Sequence, residues 1–122
     1  MSEQAMVADT SALIHFMEGH LPAQKLLFGA EIHISVVTEI ELLTMSEIKR
    51  TSAEVILRTL SYCSIWDVGP AIKDHCVRLR SHYRMKLADA LIAATAVSLG
   101  LPLARSDKGF ARLKHEVELR WL

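Results

Sequence analysis

The chain of 122 residues is poor in cysteine: it has only Cys63 and Cys76, and their spacing matches no metal-binding motif. A disulfide-stabilised secreted domain and a cysteine-ligated zinc site are therefore not expected, and both thiols are interpreted as packing residues in a reducing compartment. With five glycines, three prolines and no low-complexity tract, the chain does not have the composition of a disordered or fibrous protein. One domain is predicted over residues 1–122.

The sequence also lacks an apolar run of membrane-spanning length, and Met1-Ser2-Glu3-Gln4 does not resemble a signal peptide. We therefore expect a cytoplasmic protein with no membrane partner. The formal net charge is zero, but residues 1–61 carry −4 and residues 62–122 carry +4. If the protein binds nucleic acid, the phosphates must be met by a local basic patch, because attraction by the whole molecule is absent. The alternative is that the basic residues of the second half of the chain lie on ordinary solvated faces of helices.

Strand-like and helix-like segments alternate along the chain, which predicts an α/β fold with a parallel sheet of four to five strands and helices on both faces. The predicted strands are 5–9, 32–36, 63–68, 102–105 and 117–121, and the predicted helices are 11–17, 21–28, 38–46, 52–61, 71–83, 87–99 and 108–113. The helix over 87–99 has almost no polar residues, which is typical of a buried helix. Gly100 and Pro102 are expected to end it.

Four acidic residues stand where such a sheet binds ligands. Asp9 and Asp107 both follow predicted strands, and the carboxyl ends of parallel strands lie at one edge of the sheet. Asp89 lies in the first turn of an otherwise apolar helix, where an unpaired carboxylate is costly. Glu41 comes after the second strand. The four acids predict one metal pocket, and its all-oxygen ligands favour Mg²⁺ or Mn²⁺ over zinc.

Each acid also has a purely structural interpretation. Asp9 and Asp107 are suitable helix N-caps, and Asp89 would be favoured by the helix dipole. Thr38-Glu39-Ile40-Glu41 matches a capping box, in which the Glu41 side chain reaches back to the Thr38 amide. Glu39 is the other candidate acid on this helix, and periodicity does not choose between it and Glu41.

Four segments together resemble one known family. They are V-A-D-T-S-A-L-I at 7–14, I-S-V-V-T-E-I-E-L-L at 34–43, K-L-A-D-A-L-I-A-A-T-A at 86–96 and S-D-K-G-F at 106–110. In this order and spacing they resemble PIN-domain ribonucleases, specifically the VapC-type toxins of bacterial toxin–antitoxin pairs. The resemblance implies a PIN-like three-layer α/β sandwich and places the catalytic and metal-binding acids at Asp9, Glu41, Asp89 and Asp107. It also implies Mg²⁺ or Mn²⁺, cleavage of RNA, an antitoxin partner and a homodimer.

Further roles follow from the same resemblance. Ser11 matches a small polar position that supports the acids. Many relatives have Thr two residues before the last acid, where this chain has Arg105. Ser106 could substitute for that hydroxyl, while Arg105 could contact substrate phosphate or point outward. Arg84, Lys86 and Arg105 are predicted to bind RNA.

Three other functions have weaker sequence support. A receiver-like phospho-acceptor domain would use Asp67 after the third strand, but Asp9 is followed by Thr10-Ser11 where receivers have an acidic pair. An aspartate-nucleophile phosphatase needs D-x-D after the first strand, and Ser11 occupies the second acidic position. A degenerate PIN scaffold that binds RNA or antitoxin without catalysis is the third alternative.

Overall fold

The structure, a computed structural model, describes residues 4–48, 53–106 and 108–122. Its elements in chain order are β1 (Ala5–Ala8), α1 (Thr10–Met17), α2 (Leu21–Leu27), β2 (Glu31–Ser35), α3 (Val36–Ile48), α4 (Ala53–Ser61), β3 (Cys63–Trp66), α5 (Pro70–Tyr83), α6 (Leu87–Leu99), β4 (Leu103–Arg105), a 3₁₀ helix (Lys108–Leu113) and β5 (Leu119–Trp121). The five strands form one sheet in the order β3-β2-β1-β4-β5, and every strand pair is parallel. The predicted α/β fold with a parallel sheet is confirmed.

Two apolar cores lie on opposite faces of the sheet because side chains alternate along each strand. Met6 and Ala8 of β1 belong to one core, together with residues from α1, α2, α3 and α4. Val7 belongs to the other, which contains residues of α5, α6 and the 3₁₀ helix. The helices therefore form layers on both sides of the sheet, as the predicted three-layer sandwich requires.

Helix α6 is the most deeply buried helix that the structure describes. Its residues from Ile92 to Ala96 are all buried, which accounts for the lack of a polar face in the sequence. The helix runs from Leu87 to Leu99, as predicted, and Gly100 follows it with a φ of 66°. Glycine adopts this left-handed conformation at little cost, so it is well suited to end the helix.

The predicted capping box at Thr38 is wrong. Helix α3 begins at Val36, directly after β2, and Thr38 is therefore inside the first turn. The Ser35 hydroxyl accepts a hydrogen bond from the Val37 amide at 3.1 Å, so a residue upstream of Thr38 satisfies this end of the helix. The side chains of Thr38 and Glu41 are consequently available for other contacts.

Strand ends differ from prediction by one residue in β1, β2 and β4 and by two residues in β3 and β5. Strand β3 stops at Trp66 rather than Val68, because its partner β2 ends at Ser35, which pairs with Trp66. Strand β5 begins at Leu119 rather than Val117, since the Val117 amide donates to the Leu113 carbonyl in a turn. These differences leave the order and direction of the strands unchanged.

A polar network attaches the segment before β5 to helix α5. Both carboxylate oxygens of Glu116 accept hydrogen bonds from Arg78 Nη1, at 3.0 and 2.9 Å, and the Tyr83 hydroxyl donates to the same carboxylate at 2.9 Å. Mainly because of the hydrogen bonds from Arg78, the pKa of Glu116 is lowered from its usual value. The hydrogen bond to Glu116 raises the pKa of Tyr83. The network holds the last strand against the rest of the domain.

The two cysteines are free thiols. Cys63 donates to the Thr59 carbonyl at 3.4 Å, and burial raises its pKa to about 11. Cys76 is buried in the core that α5 and α6 share, and burial raises its pKa as well. Both therefore stay protonated and occupy packing positions. Within the three described ranges, no helix has the length and hydrophobicity needed to cross a membrane.

Candidate active site

A cleft of about 210 Å³ lies beside the carboxyl ends of the central strands. It is lined by Asp9, Thr10, Ser11, Ile14, Glu41, Asp89, Ile92 and Phe110. Strands β1 and β4 are neighbours here, but the chain leaves β1 through helices on one face of the sheet and reaches β4 from helices on the other. Ligands of open α/β sheets bind at such a switch point. Three of the four predicted acids thus line one cleft.

Asp9 is both a helix cap and a wall of the cleft. Its Oδ1 accepts a hydrogen bond from the Ala12 amide at 2.6 Å, which caps α1. The Ser11 hydroxyl lies 3.3 Å from each Asp9 carboxylate oxygen and donates to them. The residue is only 2% exposed, so these donors stabilise a carboxylate that is largely removed from water. The interpretation as an N-cap is correct, and it is compatible with a second role in the cleft.

Glu41 is held by a relay of two threonines. Thr10 donates from its hydroxyl to Glu41 Oε1 at 2.5 Å, and Thr10 and Thr38 share a hydrogen bond of 3.0 Å. A threonine hydroxyl has one proton, so if Thr10 gives its proton to Glu41, Thr38 must donate to Thr10. Thr38 is fully buried, so the packing around it holds the hydroxyl that contacts Thr10. Glu41, and not Glu39, lines the cleft.

Asp89 enters the cleft from the opposite face of the sheet. It lies in the first turn of α6 and is half-buried beside Ile92, one turn further along the same helix. The positive end of the helix dipole favours a carboxylate there. The three acids therefore come from the N-cap of α1, from α3 and from α6, and each is placed by a helix start or by a side-chain hydrogen bond.

The donor chemistry of the cleft suits a hard divalent cation, because all three acids offer carboxylate oxygens. Among residues 4–48, 53–106 and 108–122, however, no three His, Cys, Asp or Glu side chains form a ready-made metal cluster. Asp107, the fourth predicted ligand, lies outside the described residues. Carboxylates gathered in one cleft repel one another unless protons or a cation balance their charge.

The predicted RNA-binding residues have different surroundings. Arg84 and Lys86 are exposed on either side of Met85, between α5 and α6, and Arg84 has a left-handed backbone with a φ of 55°. Arg105 has no exposed surface, and its guanidinium lies over the ring of Trp121. In this structure Arg105 is therefore neither at the rim nor directed outward, because Trp121 covers it. Ser106 is half-buried at the end of β4.

Sequence reasoning missed three contributions to the cleft. The roles of Thr10 and Thr38 depend on contacts between distant parts of the chain, although Thr10 directly follows Asp9 and could have been considered. Phe110 of the 3₁₀ helix supplies an apolar wall that no spacing rule indicates.

The family model of the PIN domain matches residues 6–116. This match covers most of the sequence and all of the described cleft. The chain therefore belongs to the PIN domain family, as the four sequence segments suggested. No curated protein gives a significant match to it.

Solved structures give the same result at the level of the fold. A toxin–antitoxin complex from Klebsiella pneumoniae is 29% identical, with a TM-score of 0.77, 87% of this chain and 90% of that chain being covered. VapBC2 from Rickettsia felis, bound to a DNA fragment from its promoter, is 20% identical with a TM-score of 0.82. The match covers 98% of this chain and 99% of that chain. VapBC-5 from Mycobacterium tuberculosis is 24% identical, with a TM-score of 0.76 and 97% of both chains covered.

Proposed function

We propose that this protein is a metal-dependent endoribonuclease and the toxin of a toxin–antitoxin pair. The observation that carries the proposal is the meeting of Asp9, Glu41 and Asp89 in one cleft at the switch point of a PIN-family sheet. Metal-assisted cleavage of a phosphodiester requires a site that gathers negative ligands around a cation and still admits a negatively charged strand. A cleft with three carboxylates, open to solvent on the side of Glu41, meets both requirements.

The acids would hold Mg²⁺ or Mn²⁺, with Asp107 as the fourth predicted ligand. Such a cation activates water and neutralises charge on the phosphate. Asp9 is held rigidly by the Ala12 amide and Ser11, so its carboxylate is a fixed point of the site. Glu41 is exposed and held by one short hydrogen bond, which leaves it able to shift toward a ligand or to accept a proton from water.

The direct test is RNA cleavage by the purified protein in Mg²⁺ or Mn²⁺ and in chelator. Glu41→Gln should reduce cleavage strongly, because it removes a charge from the cleft. Glu39→Gln is the matched control, since it makes the same change two positions away on the same helix, outside the cleft lining. Equal activity of the two variants would contradict the assignment of Glu41. Binding of RNA by the wild type without any cleavage would favour the degenerate scaffold.

An antitoxin partner is supported by the toxin–antitoxin complexes among the similar structures. We assign its docking to an apolar groove of about 580 Å³ between α1, α2 and α4. The groove is lined by Phe16, Leu27, Phe28, Gly29, Ala30, Ile32, Val55, Arg58, Thr59 and Tyr62. Phe28 and Tyr62 are strongly exposed, and large apolar patches on a protein surface usually bind a partner.

Co-expression tests this partner. With the small protein encoded by a neighbouring reading frame, Phe28→Ala combined with Tyr62→Ala should prevent co-purification and restore toxicity. Leu87→Ala also removes an exposed apolar side chain but lies outside the groove, so it should leave the complex intact. A complex that survives the double variant would place the partner elsewhere.

A homodimer in the cytoplasm completes the proposal. Exposed apolar side chains outside the groove, among them Ile40 and Val77, offer apolar surface that a second copy of the chain could cover. Sedimentation at micromolar concentration measures the mass directly, and a monomer there would contradict the dimer.

A further inference from the structure

Three residues form a row across the carboxyl edge of the sheet. Ala8 pairs with Ala104, and Arg105 pairs with Trp121. Continued by one residue, the first register places Asp9 beside Arg105, and the Asp9 amide donates to the Ala104 carbonyl at 3.0 Å. Since neighbouring strands are about 4.8 Å apart, the α-carbon of Trp121 lies about 10 Å from that of Asp9.

Within this row, Trp121 has one ring face covered by Arg105 and still exposes about half of its surface. The Arg105 guanidinium lies over the ring, and Arg105 itself has no exposed surface. Trp121 is nevertheless 51% exposed, although it belongs to the sheet. A cation stacked on one face of an indole orients the ring and leaves its other face for a second planar group.

Resting on the proposed ribonuclease function, we propose that Trp121 is the platform on which a base of the RNA substrate stacks. A phosphate at Asp9 and a base on Trp121 are separated by two strand spacings, which suits groups that are near neighbours along one RNA strand. Aromatic side chains stack on any base, so this contact would position the strand without reading its sequence.

The charge beside the ring favours RNA over a protein partner. Arg105 places a cation directly against the Trp121 ring, and an RNA strand carries a negative charge on every phosphate. The apolar groove assigned to the antitoxin has different lining residues, none of which is Trp121.

Trp66 provides a matched control. It ends β3, which is also two strands from β1, and it is 38% exposed. Its indole N–H, however, donates to His33 Nδ1 at 2.9 Å, and the other nitrogen of His33 lies 3.1 Å from a Glu31 carboxylate oxygen. Trp66 is thus held in a network that ends in an acid, whereas the Trp121 ring lies against a cation.

The test is equilibrium binding of a short, fluorescently labelled single-stranded RNA in chelator, where no strand is cut. Trp121→Ala should weaken binding by about tenfold, the effect of losing one stacked base, and Trp121→Phe should retain most of it. Trp66→Ala should remain within about twofold of wild type, because its ring is not a stacking platform. Wild-type affinity in Trp121→Ala, or equal losses at Trp66 and Trp121, would overturn the proposal, as would a defect confined to antitoxin binding.

A second measurement does not depend on how Trp121→Ala folds. In Trp66→Phe, Trp121 is the only tryptophan, and a base stacked on it should quench its emission as RNA is added. Unchanged emission at saturating RNA would exclude stacking. Cleavage by the wild type in Mg²⁺ is scored separately: quenching without cleavage contradicts the proposed ribonuclease, and cleavage without quenching contradicts the stacking platform.

Discussion

The Thr10 hydroxyl donates to Glu41 Oε1 at 2.5 Å, linking two residues 31 positions apart. Through this bond the start of α1 sets the position of an acid on α3. Thr38, buried beneath Thr10, holds the hydroxyl in place. The geometry of the cleft therefore depends on two neutral side chains as well as on its carboxylates.

Replacing Thr10 should weaken the site without removing any charge from it. Thr10→Val keeps the shape of the side chain but loses the donor, so Glu41 is no longer held, and we expect cleavage to fall by about tenfold, as for the loss of one hydrogen bond to a charged group. Thr10→Ser keeps the hydroxyl and should remain close to wild type. Initial cleavage rates in Mg²⁺ for the two variants measure the effect. Equal rates would show that Glu41 does not need this donor.

Asp9 allows its two roles to be separated. Asp9→Asn removes a carboxylate charge from the cleft and should abolish cleavage. Because Asn is as good an N-cap as Asp, this variant should keep the hydrogen bond from the Ala12 amide and the thermal stability. Asp9→Ala loses the cap as well and should be less stable by about 1 kcal/mol. Thermal unfolding and RNA cleavage of both variants test this. An active Asp9→Asn protein would mean that the carboxylate charge is not required.

The fold could largely be predicted because its signals are local. The alternation of strands and helices and the apolar helix from Leu87 to Leu99 are both visible in single segments, and the helix has the predicted bounds. The convergence of Asp9, Glu41 and Asp89 needed the additional assumption of a parallel sheet, whose carboxyl ends meet at one edge. Helical periodicity did not choose between Glu39 and Glu41, the family resemblance favoured Glu41, and in the structure Glu41 lines the cleft.

The errors come from contacts between distant residues. A T-x-x-E pattern predicted a cap at Thr38, but Ser35 accepts the Val37 amide instead and Thr38 contacts Thr10. Arg105 was expected to contact substrate phosphate or to point outward. It is buried because Trp121, paired with it on β5, covers it. Neither partner can be identified from local spacing.

The carboxylate of Glu116 should make stability depend on pH. Its pKa is lowered in the folded protein, chiefly by the hydrogen bonds from Arg78. The carboxylate therefore stabilises the fold above the pKa of the unfolded chain, which is about 4.3, and this contribution is lost as the pH falls through the folded pKa. Glu116→Gln should destabilise the protein at neutral pH by about 1 kcal/mol at most, because the Arg78 side chain is 45% exposed and water screens the pair.

Urea unfolding of the wild type and Glu116→Gln at neutral and at acidic pH measures this contribution. The difference between them should shrink in acid, where Glu116 is protonated. Glu118→Gln is the control, since its pair with Arg120 is exposed and joins residues only two positions apart. A difference that is independent of pH would mean that Glu116 acts through its shape or neutral hydrogen bonds, and not through its charge.

Arg84 and Lys86 remain the predicted phosphate contacts, and the salt dependence of RNA binding tests them. Each lost phosphate contact on a single strand should lower the slope of log affinity against log salt by about 0.7.

Arg84→Gly suits the left-handed backbone at this position, so it removes the charge without straining the turn. Lys86→Gln removes the second charge, and Lys73→Gln, on α5, removes a charge for which no phosphate contact is predicted. A slope that is lower in Arg84→Gly and Lys86→Gln but not in Lys73→Gln would assign the contacts. If the slope is the same in all three variants, Arg84 and Lys86 are solvated surface residues that do not contact phosphate.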